Sequence, residues 1–386
     1  MDNNASQDTH PRIPRVTLKA KEERRLLRGH LWGYRNEFQH VPDLADGAIL
    51  DVVSDQGRFV GRGFYQASGG IGARILSRRE EAIDQSFLER RIERALRYRQ
   101  RVYPGSDVYR WIHGESDGLP GLIADRFGPV VSVQTQCAFY AQHMDWLTSA
   151  LLAHEGVQGV RFEIASKARW FGTPVRPLIA AMDGLSLNID VDSGQKTGMF
   201  LDQRDNAAAA RVFAPGARVL DGHCYNGLWS CHFALAGAKH VLGVDTSGPA
   251  LEQARKNAEL NAVADRCEFE CADIHEVLKR GERYDIVTLD PPALAKSRAH
   301  AEKALGVYHA LNRDALAAVL PGGMLITSSC SHFVDAEAFL EMLKRAARAA
   351  QREVWLLEVR GAARDHPVLM SMPETAYLKC VIMRVF

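Results

Sequence analysis

The sequence predicts an α/β protein: a doubly wound sheet in the C-terminal half, preceded by a small β-barrel and a small α+β connecting region. Three observations predict it. Arg218-Val-Leu-Asp221 runs into a turn holding Gly222, Asn226 and Gly227, then a helical run from Leu228 to Ala236, then a strand from His240 that ends at Asp245. The strand–helix alternation continues, and its later strands end in Asp273, Asp290 and Cys330. Ahead of it lie short β-like runs and one strongly amphipathic helix. Side chains at the carboxyl ends of such strands face a crevice rather than the core, so a row of acids there reads as a ligand site.

Composition narrows the classes. A chain of 386 residues, 46% hydrophobic, can bury two or three cores, at roughly 100–200 residues per domain. No apolar run approaches the ~20 residues of a membrane span, and Met1 to Arg15 has no signal-peptide core. Seven cysteines without a CxxC pair fit neither a disulfide framework nor a zinc site. A cytoplasmic protein without metal or membrane partner is the expectation. The net charge of +1 hides an excess of Lys and Arg in the first 101 residues and a matching deficit beyond, which suits an anionic partner for the N-terminal third.

Residues 1–13 are polar and read as a disordered tail. Residues 14–80 read as a small barrel. Val16-Thr-Leu is followed by a basic turn or helix from Lys19 to Gly29; Ala48 to Val53 and Arg58 to Tyr65 flank a hairpin turn at Asp55-Gln-Gly57; Ala73 to Leu76 closes the set. Arg24, Arg25, Arg28, Trp32, Tyr34 and Arg35 mix cations with aromatics. They suit a nucleic-acid surface, although composition alone favours a solvated basic face with Trp32 in the core.

Residues 81–192 read as the connecting domain. Asp84 to Arg101 is a helix with Leu88, Ile92, Ala95 and Leu96 on one stripe. Tyr109 to His113 and Val130 to Gln136 are strands, Tyr140 to Leu152 a helix, and Val160 to Ile164 and Leu185 to Ile189 strands, with Asp117-Gly-Leu-Pro-Gly a turn.

Residues 193–386 hold the doubly wound sheet. They open on a polar, glycine-bracketed segment, Ser193 to Asn206, which reads as a lid or cofactor-contacting entry, or as a helix start with Asp202 as N-cap. Ser247 caps a helix through Leu260 with Pro249 in its first turn. Tyr308 to Val319 and Asp335 to Ala350 are helical, and Val354 to Val359 and Tyr377 to Phe386 are β-rich edges.

Several motifs together resemble the class I S-adenosylmethionine-dependent methyltransferases, and among them the 23S ribosomal RNA cytosine-C5 methyltransferases that carry an N-terminal PUA domain. They are GQKTGMFLDQRDN at 194–206, DxxCYNG at 221–227 and VDTSGPALEQARKNAELN at 244–261. DPPALAKS at 290–297, SSCSH at 328–332 and DHP…YLK at 365–379 complete the set. The resemblance implies a PUA barrel, a connecting domain and a Rossmann-like catalytic domain, with S-adenosylmethionine as cofactor and S-adenosylhomocysteine as product. It implies large-subunit ribosomal RNA as partner and leaves room for a homodimer.

Carried over by motif, Asp221, Cys224, Asn226 and Gly227 line the methionine end of the cofactor. Asp245 and Thr246 take the ribose, Asp273 and Ile274 the adenine, and Phe200 and Gln203 the entry side. Asp290 faces both cofactor and target base. Lys196, Arg204, Pro291, Pro292 and Lys296 face the RNA, with Arg24, Arg25 and Arg28 on the N-terminal domain. The family's Leu-Phe after the first acid is Gly222-His223 here, its Gly-Phe is Leu228-Trp229, and Ala207 stands where arginine is common.

Cytosine C5 is a weak nucleophile. A thiolate adding to C6 converts the ring to an enamine, which calls for an activated cysteine and an acid on the N3/N4 edge. Cys330 and Asp290 fit those roles, with His332 and Lys296 as candidate cations for the thiol. The base must be unpaired or flipped to reach them. The alternatives are base N-methylation through Asp290-Pro-Pro, and a non-catalytic RNA scaffold with a decayed cofactor site.

Overall fold

The computed structural model describes residues 13–40, 43–192, 194, 197–295 and 297–386. The expected N-terminal tail falls almost wholly outside them.

The N-terminal sheet has five strands, Arg15–Thr17, Trp32–Tyr34, Ile49–Val53, Phe59–Tyr65 and Ile71–Ser77. The expected hairpin forms because Ser54 Oγ accepts from the Gln56 and Arg58 amides, which folds the turn back on itself. An antiparallel bridge between Leu18 and Phe38 joins the two edges of the sheet. At Gly63 a Cβ would lie 1.9 Å from the Arg74 carbonyl, so only glycine lets these two strands cross at the bulge. The strand Trp32–Tyr34 lay unrecognised between basic residues, too short to show alternation. The core of this sheet includes Met372, and Ser371 Oγ donates to the Gly29 carbonyl. A C-terminal segment thus clasps the N-terminal domain.

The helix Gln85–Val102 starts where expected, with Asp84 Oδ1 accepting from the Phe87 amide at 2.8 Å. Its stripe of Leu88, Ile92, Ala95 and Leu96 is buried, each large side chain there contributing roughly 1.5–3 kcal/mol. The helix packs on a five-stranded sheet, Val108–His113, Leu122–Phe127, Val130–Thr135, Gly159–Ile164 and Lys167–Gly172. Two of these strands, Leu122–Phe127 and Lys167–Gly172, were hidden among turn residues. The single helix expected from Tyr140 to Leu152 is two, Ala138–Gln142 and Met144–Leu152, broken at His143.

Leu185–Asn188 pairs with Ile179–Met182 as a separate hairpin rather than joining the connecting sheet. Its Leu185 and Leu187 share a core with Val219 and Leu251 of the C-terminal sheet, and the Asn188 amide donates to Asn257 Oδ1. Alternation gave the strand but not the sheet it would join.

The C-terminal sheet has seven strands in the spatial order Cys267–Cys271, His240–Asp245, Arg218–Gly222, Tyr284–Leu289, Val319–Ser329, Lys379–Val385 and Val354–Arg360. The first five are parallel, Lys379–Val385 runs against them, and Val354–Arg360 pairs antiparallel to Lys379–Val385 and so runs with the first five. Of the two β-rich C-terminal runs, Lys379–Val385 lies inside the sheet and only Val354–Arg360 forms its edge. Helices Leu228–Leu235 and Gly248–Leu260 cover one face; Ile274–Leu278, Ala301–Ala318 and Ala336–Ala349 cover the other. Strand order reverses between Arg218–Gly222 and Tyr284–Leu289, and a crevice opens at such a point. No helix among the described residues is long and apolar enough to cross a membrane.

Candidate active site at the carboxyl edge of the sheet

The parallel register sets Asp273, Asp245, Asp221, Asp290 and Cys330 along one edge in that order, with Asp221 and Asp290 on either side of the switch point. Asp221 is fully buried. Its Oδ2 accepts from Ser230 Oγ at 2.6 Å, while Oδ1 is buried with no hydrogen-bond partner. Burial pushes this carboxyl up to about 7, and the nearby Asp290 and Asp245 charges push the same way. An unsatisfied buried carboxylate oxygen is costly, and a cationic or donor-bearing ligand would satisfy it.

The turn between Asp221 and the next helix is tightly wound. His223 and Tyr225 have φ of 62° and 49°, and Gly227 caps the helix at 75°. Asp245 supports this geometry, its Oδ2 accepting the Tyr225 amide at 3.0 Å and Oδ1 the Ser247 amide at 2.9 Å. Each oxygen keeps a lone pair for a further donor. Asn226 is buried, and its carbonyl accepts from Asn257 Nδ2. A Cβ on Gly227 would meet Ala254 at 2.9 Å, and one on Gly222 would meet Ile274 and Leu289, so the space at Gly222 is filled by one side chain from the helix Ile274–Leu278 and one from the neighbouring strand. Cys224 packs inside the core with Leu251 and Phe269; only its backbone belongs to the turn. Thr246 and Asp273 are exposed, Asp273 Oδ1 accepting the His275 amide, and Ile274 is buried beside them.

Entry-segment residues meet this edge from the other side. Thr197 donates to Asp125 of the connecting sheet. The Phe200 ring stands edge-on to Tyr225 at 5.0 Å. Gln203 Nε2 donates to Asp290 Oδ1 at 2.8 Å, and its own Oε1 accepts from Asn206 Nδ2. Asp202 is not an N-cap: it sits in the 3-10 turn Leu201–Gln203, where its carboxylate accepts from Tyr377 Oη at 2.6 Å. The helix Arg204–Ala210 begins after it.

Cys330 follows the strand Val319–Ser329, with Sγ 3.9 Å from the Pro291 carbonyl. Ser331 ties the two loops together. Its Oγ accepts the Leu294 and Ala295 amides and hydrogen-bonds Tyr308 Oη. Pro291 is buried and Pro292 exposed. Of the expected cations, His332 is exposed with its ring against Phe333, and Lys296 lies outside the described residues, as does Lys196. A cation that the sequence reading quoted in YLK but gave no role sits here instead. Lys379 is buried, donating to the Ser331 and Tyr377 carbonyls at 2.7 and 2.9 Å. Burial pulls its amine down to about 8, against the opposing pull of Cys330 and Asp335. Ser230 and Tyr225 were also missed, although both lie within ten residues of Asp221.

The expected RNA contacts divide. Arg24 and Arg28 are exposed. Arg25 is bound to both oxygens of Glu37 and to the Trp32 carbonyl. Trp32 itself donates Nε1 to Glu115 of the connecting domain, so it sits at a domain junction rather than on an open surface. Arg204 is 3% exposed, forked onto Asp183 at 2.7 and 2.6 Å and stacked 3.7 Å from the Tyr103 ring centre. It is an internal anchor. Among the described residues no cluster of His, Cys, Asp and Glu can hold a metal ion.

Residues 16–78 match a family model described as a PUA-like domain, and residues 143–383 one described as an S-adenosylmethionine-dependent methyltransferase. A Shewanella denitrificans protein named ribosomal RNA large subunit methyltransferase I is 35% identical, over 96% of this chain and 99% of its own length. A Klebsiella pneumoniae protein of that name is 33% identical, over 97% and 98%. Among solved structures, a SAM-dependent methyltransferase from Streptococcus mutans superposes with a TM-score of 0.84 at 19% identity, covering 96% of this chain and 100% of that one. The methyltransferase SMU.776, solved with SAH, gives 0.86 at 20% identity over the same shares. At those identities the structural likeness speaks for the fold.

Proposed function

This chain belongs to the family of S-adenosylmethionine-dependent methyltransferases, and from that premise we propose that it methylates C5 of a cytosine in large-subunit ribosomal RNA. The observation that carries the finer reading is the Cys330 thiol, packed against the Pro291 carbonyl next to Asp290. The relatives' names support the RNA; the cysteine supports the position on the base.

When bound, S-adenosylmethionine supplies an electrophilic methyl group. Asp221, Asn226 and Gly227 hold its methionine end, where the unsatisfied Asp221 Oδ1 suits a cationic ligand. Asp245, with Thr246, takes the ribose hydroxyls on its spare lone pairs, and Asp273 with Ile274 takes the adenine. Phe200 closes the entry side. Asp290, held by Gln203, fixes the N3/N4 edge of the base, and Pro291 and Pro292 shape its seat. Cys330, as thiolate, adds to C6 and makes C5 nucleophilic. Once C5 carries the methyl group and S-adenosylhomocysteine is left behind, the C5 proton passes to solvent, the C6–S bond breaks and the C5–C6 double bond re-forms, releasing the thiolate. Arg24 and Arg28 supply phosphate contacts from the basic N-terminal domain. N-methylation through Asp290-Pro-Pro has less support, since Ala293 and Leu294, which follow it, provide no aromatic face to stack the base.

The test uses RNA carrying 5-fluorocytosine at the target, where no C5 proton can leave. Wild type should accumulate a covalent adduct, Cys330→Ala should form none, and Cys224→Ala, whose thiol lies in the core, should still form it. Methyl transfer by Cys330→Ala at the wild-type rate would reject the cytosine-C5 assignment.

A further inference from the structure

The cysteine invoked above needs a source of thiolate, because an ordinary thiol of pKa near 8.5 is only a few per cent ionised at neutral pH. Its neighbours come from four elements. Tyr308 arrives from the helix Ala301–Ala318, Asp290 ends the strand Tyr284–Leu289, and His332 and Asp335 follow in the chain. Tyr377 and Lys379 stand at the start of the antiparallel strand, where Lys379 pairs with Ser329, the residue before Cys330. Tyr308, Tyr377 and Lys379 each feel the Cys330 charge. The two tyrosines cannot become cations, and His332 is exposed.

Lys379 is unusual in this set. A buried lysine is rare without a carboxylate partner, and this one spends two hydrogens on the backbone carbonyls of Ser331 and Tyr377. One of those carbonyls belongs to the residue that follows Cys330. A neutral amine so held has one lone pair left, and an ammonium has one hydrogen left. The two carbonyl hydrogen bonds set where that last position lies.

We propose that Lys379 is the positioning residue that activates Cys330. The Lys379 ammonium, held by the Ser331 and Tyr377 carbonyls, favours the ionised form of the neighbouring thiol. The Sγ–H bond breaks, its proton goes to solvent at the half-buried Cys330, and the thiolate remains beside the ammonium. The two backbone carbonyls stabilise the ammonium, which is why a buried lysine can serve here.

This inference rests on Cys330 as nucleophile, yet it can be tested without RNA. The measurement is the pH dependence of Cys330 alkylation by iodoacetamide in the full chain, followed by peptide mass spectrometry, with the exposed Cys271 as internal reference. In wild type the Cys330 midpoint should lie at least one pH unit below that of Cys271. Lys379→Met should bring the two midpoints together and slow Cys330 alkylation at pH 7 by about tenfold, since one pH unit is a factor of ten in thiolate. Lys379→Arg, which keeps a cation, should retain a depressed midpoint. S-adenosylmethionine affinity should change less than twofold in both variants. Equal midpoints for Cys330 and Cys271 in wild type would overturn the proposal with no variant needed. So would an unmoved Cys330 midpoint in Lys379→Met with cofactor affinity intact. Failure of the cytosine-C5 reading would show separately, as a wild type that forms no adduct with 5-fluorocytosine RNA.

Discussion

Gln203 Nε2 donates to Asp290 Oδ1 at 2.8 Å, joining the segment that precedes the sheet to the acid at the end of its fourth strand. Asn206 holds Gln203 in turn, and Arg360 Nε donates to Asn206 Oδ1 at 2.9 Å. Asp290 is therefore aimed by a relay that begins on the edge strand. Gln203→Ala should reduce methyl transfer by about tenfold or more, as loss of a hydrogen bond to a charged group costs roughly 1.5–3 kcal/mol. Cofactor affinity should change much less. Single-turnover rates and calorimetry separate the two, and an equal loss in both would make Gln203 a cofactor ligand instead.

Asp221 predicts a pH dependence of stability. Its folded carboxyl titrates at about 7, above the unfolded value near 4. The folded state therefore holds the extra proton between those limits, and the group's contribution, complete below pH 4, is lost as pH rises through 7. Asp221→Asn removes that loss while keeping an acceptor for Ser230. Urea unfolding should show the variant roughly 4 kcal/mol more stable than wild type at pH 8 and close to it at pH 4. A constant difference between the two pH values would refute the assignment.

Asp245 carries two loads, the Tyr225 and Ser247 amides and the proposed ribose. Asp245→Ala should weaken S-adenosylmethionine by roughly 1.5–3 kcal/mol. Asp245→Asn, which keeps an acceptor for one of the two amides, should lose less. Unchanged affinity in titration calorimetry would move the ribose contact elsewhere.

The arginines should separate by role. Arg204→Ala leaves Asp183 without its buried partner, and should cost roughly 3–5 kcal/mol of stability in thermal or urea unfolding. Arg24→Ala with Arg28→Ala should leave stability alone and flatten the salt dependence of RNA binding by a slope of about 2. Removing the whole N-terminal domain is the poorer test, because it would strip Phe64 from its stack on Phe139 at 4.8 Å. An unchanged salt slope in the double variant would make that basic face a solvated one.

The sequence by itself determined what depends on neighbours in the chain. The strand–helix alternation from Arg218 onward, the helix starts at Asp84 and Asp335, the cap at Ser247, and the row of acids with Cys330 all rest on short-range periodicity and hydrogen bonds, and all are in the structure. Tertiary structure decided whatever depends on which distant strands pair. Lys379 could be matched to Cys330 only once its strand entered the sheet beside Val319–Ser329. The same holds for Gln203 reaching Asp290 across 87 residues, and for the hairpin at Leu185 joining the C-terminal core. Arg204 and Cys224 looked like surface and site residues because both lie in functional motifs. Burial is a property of the packed chain, and it alone turned one into an internal ion pair and the other into core.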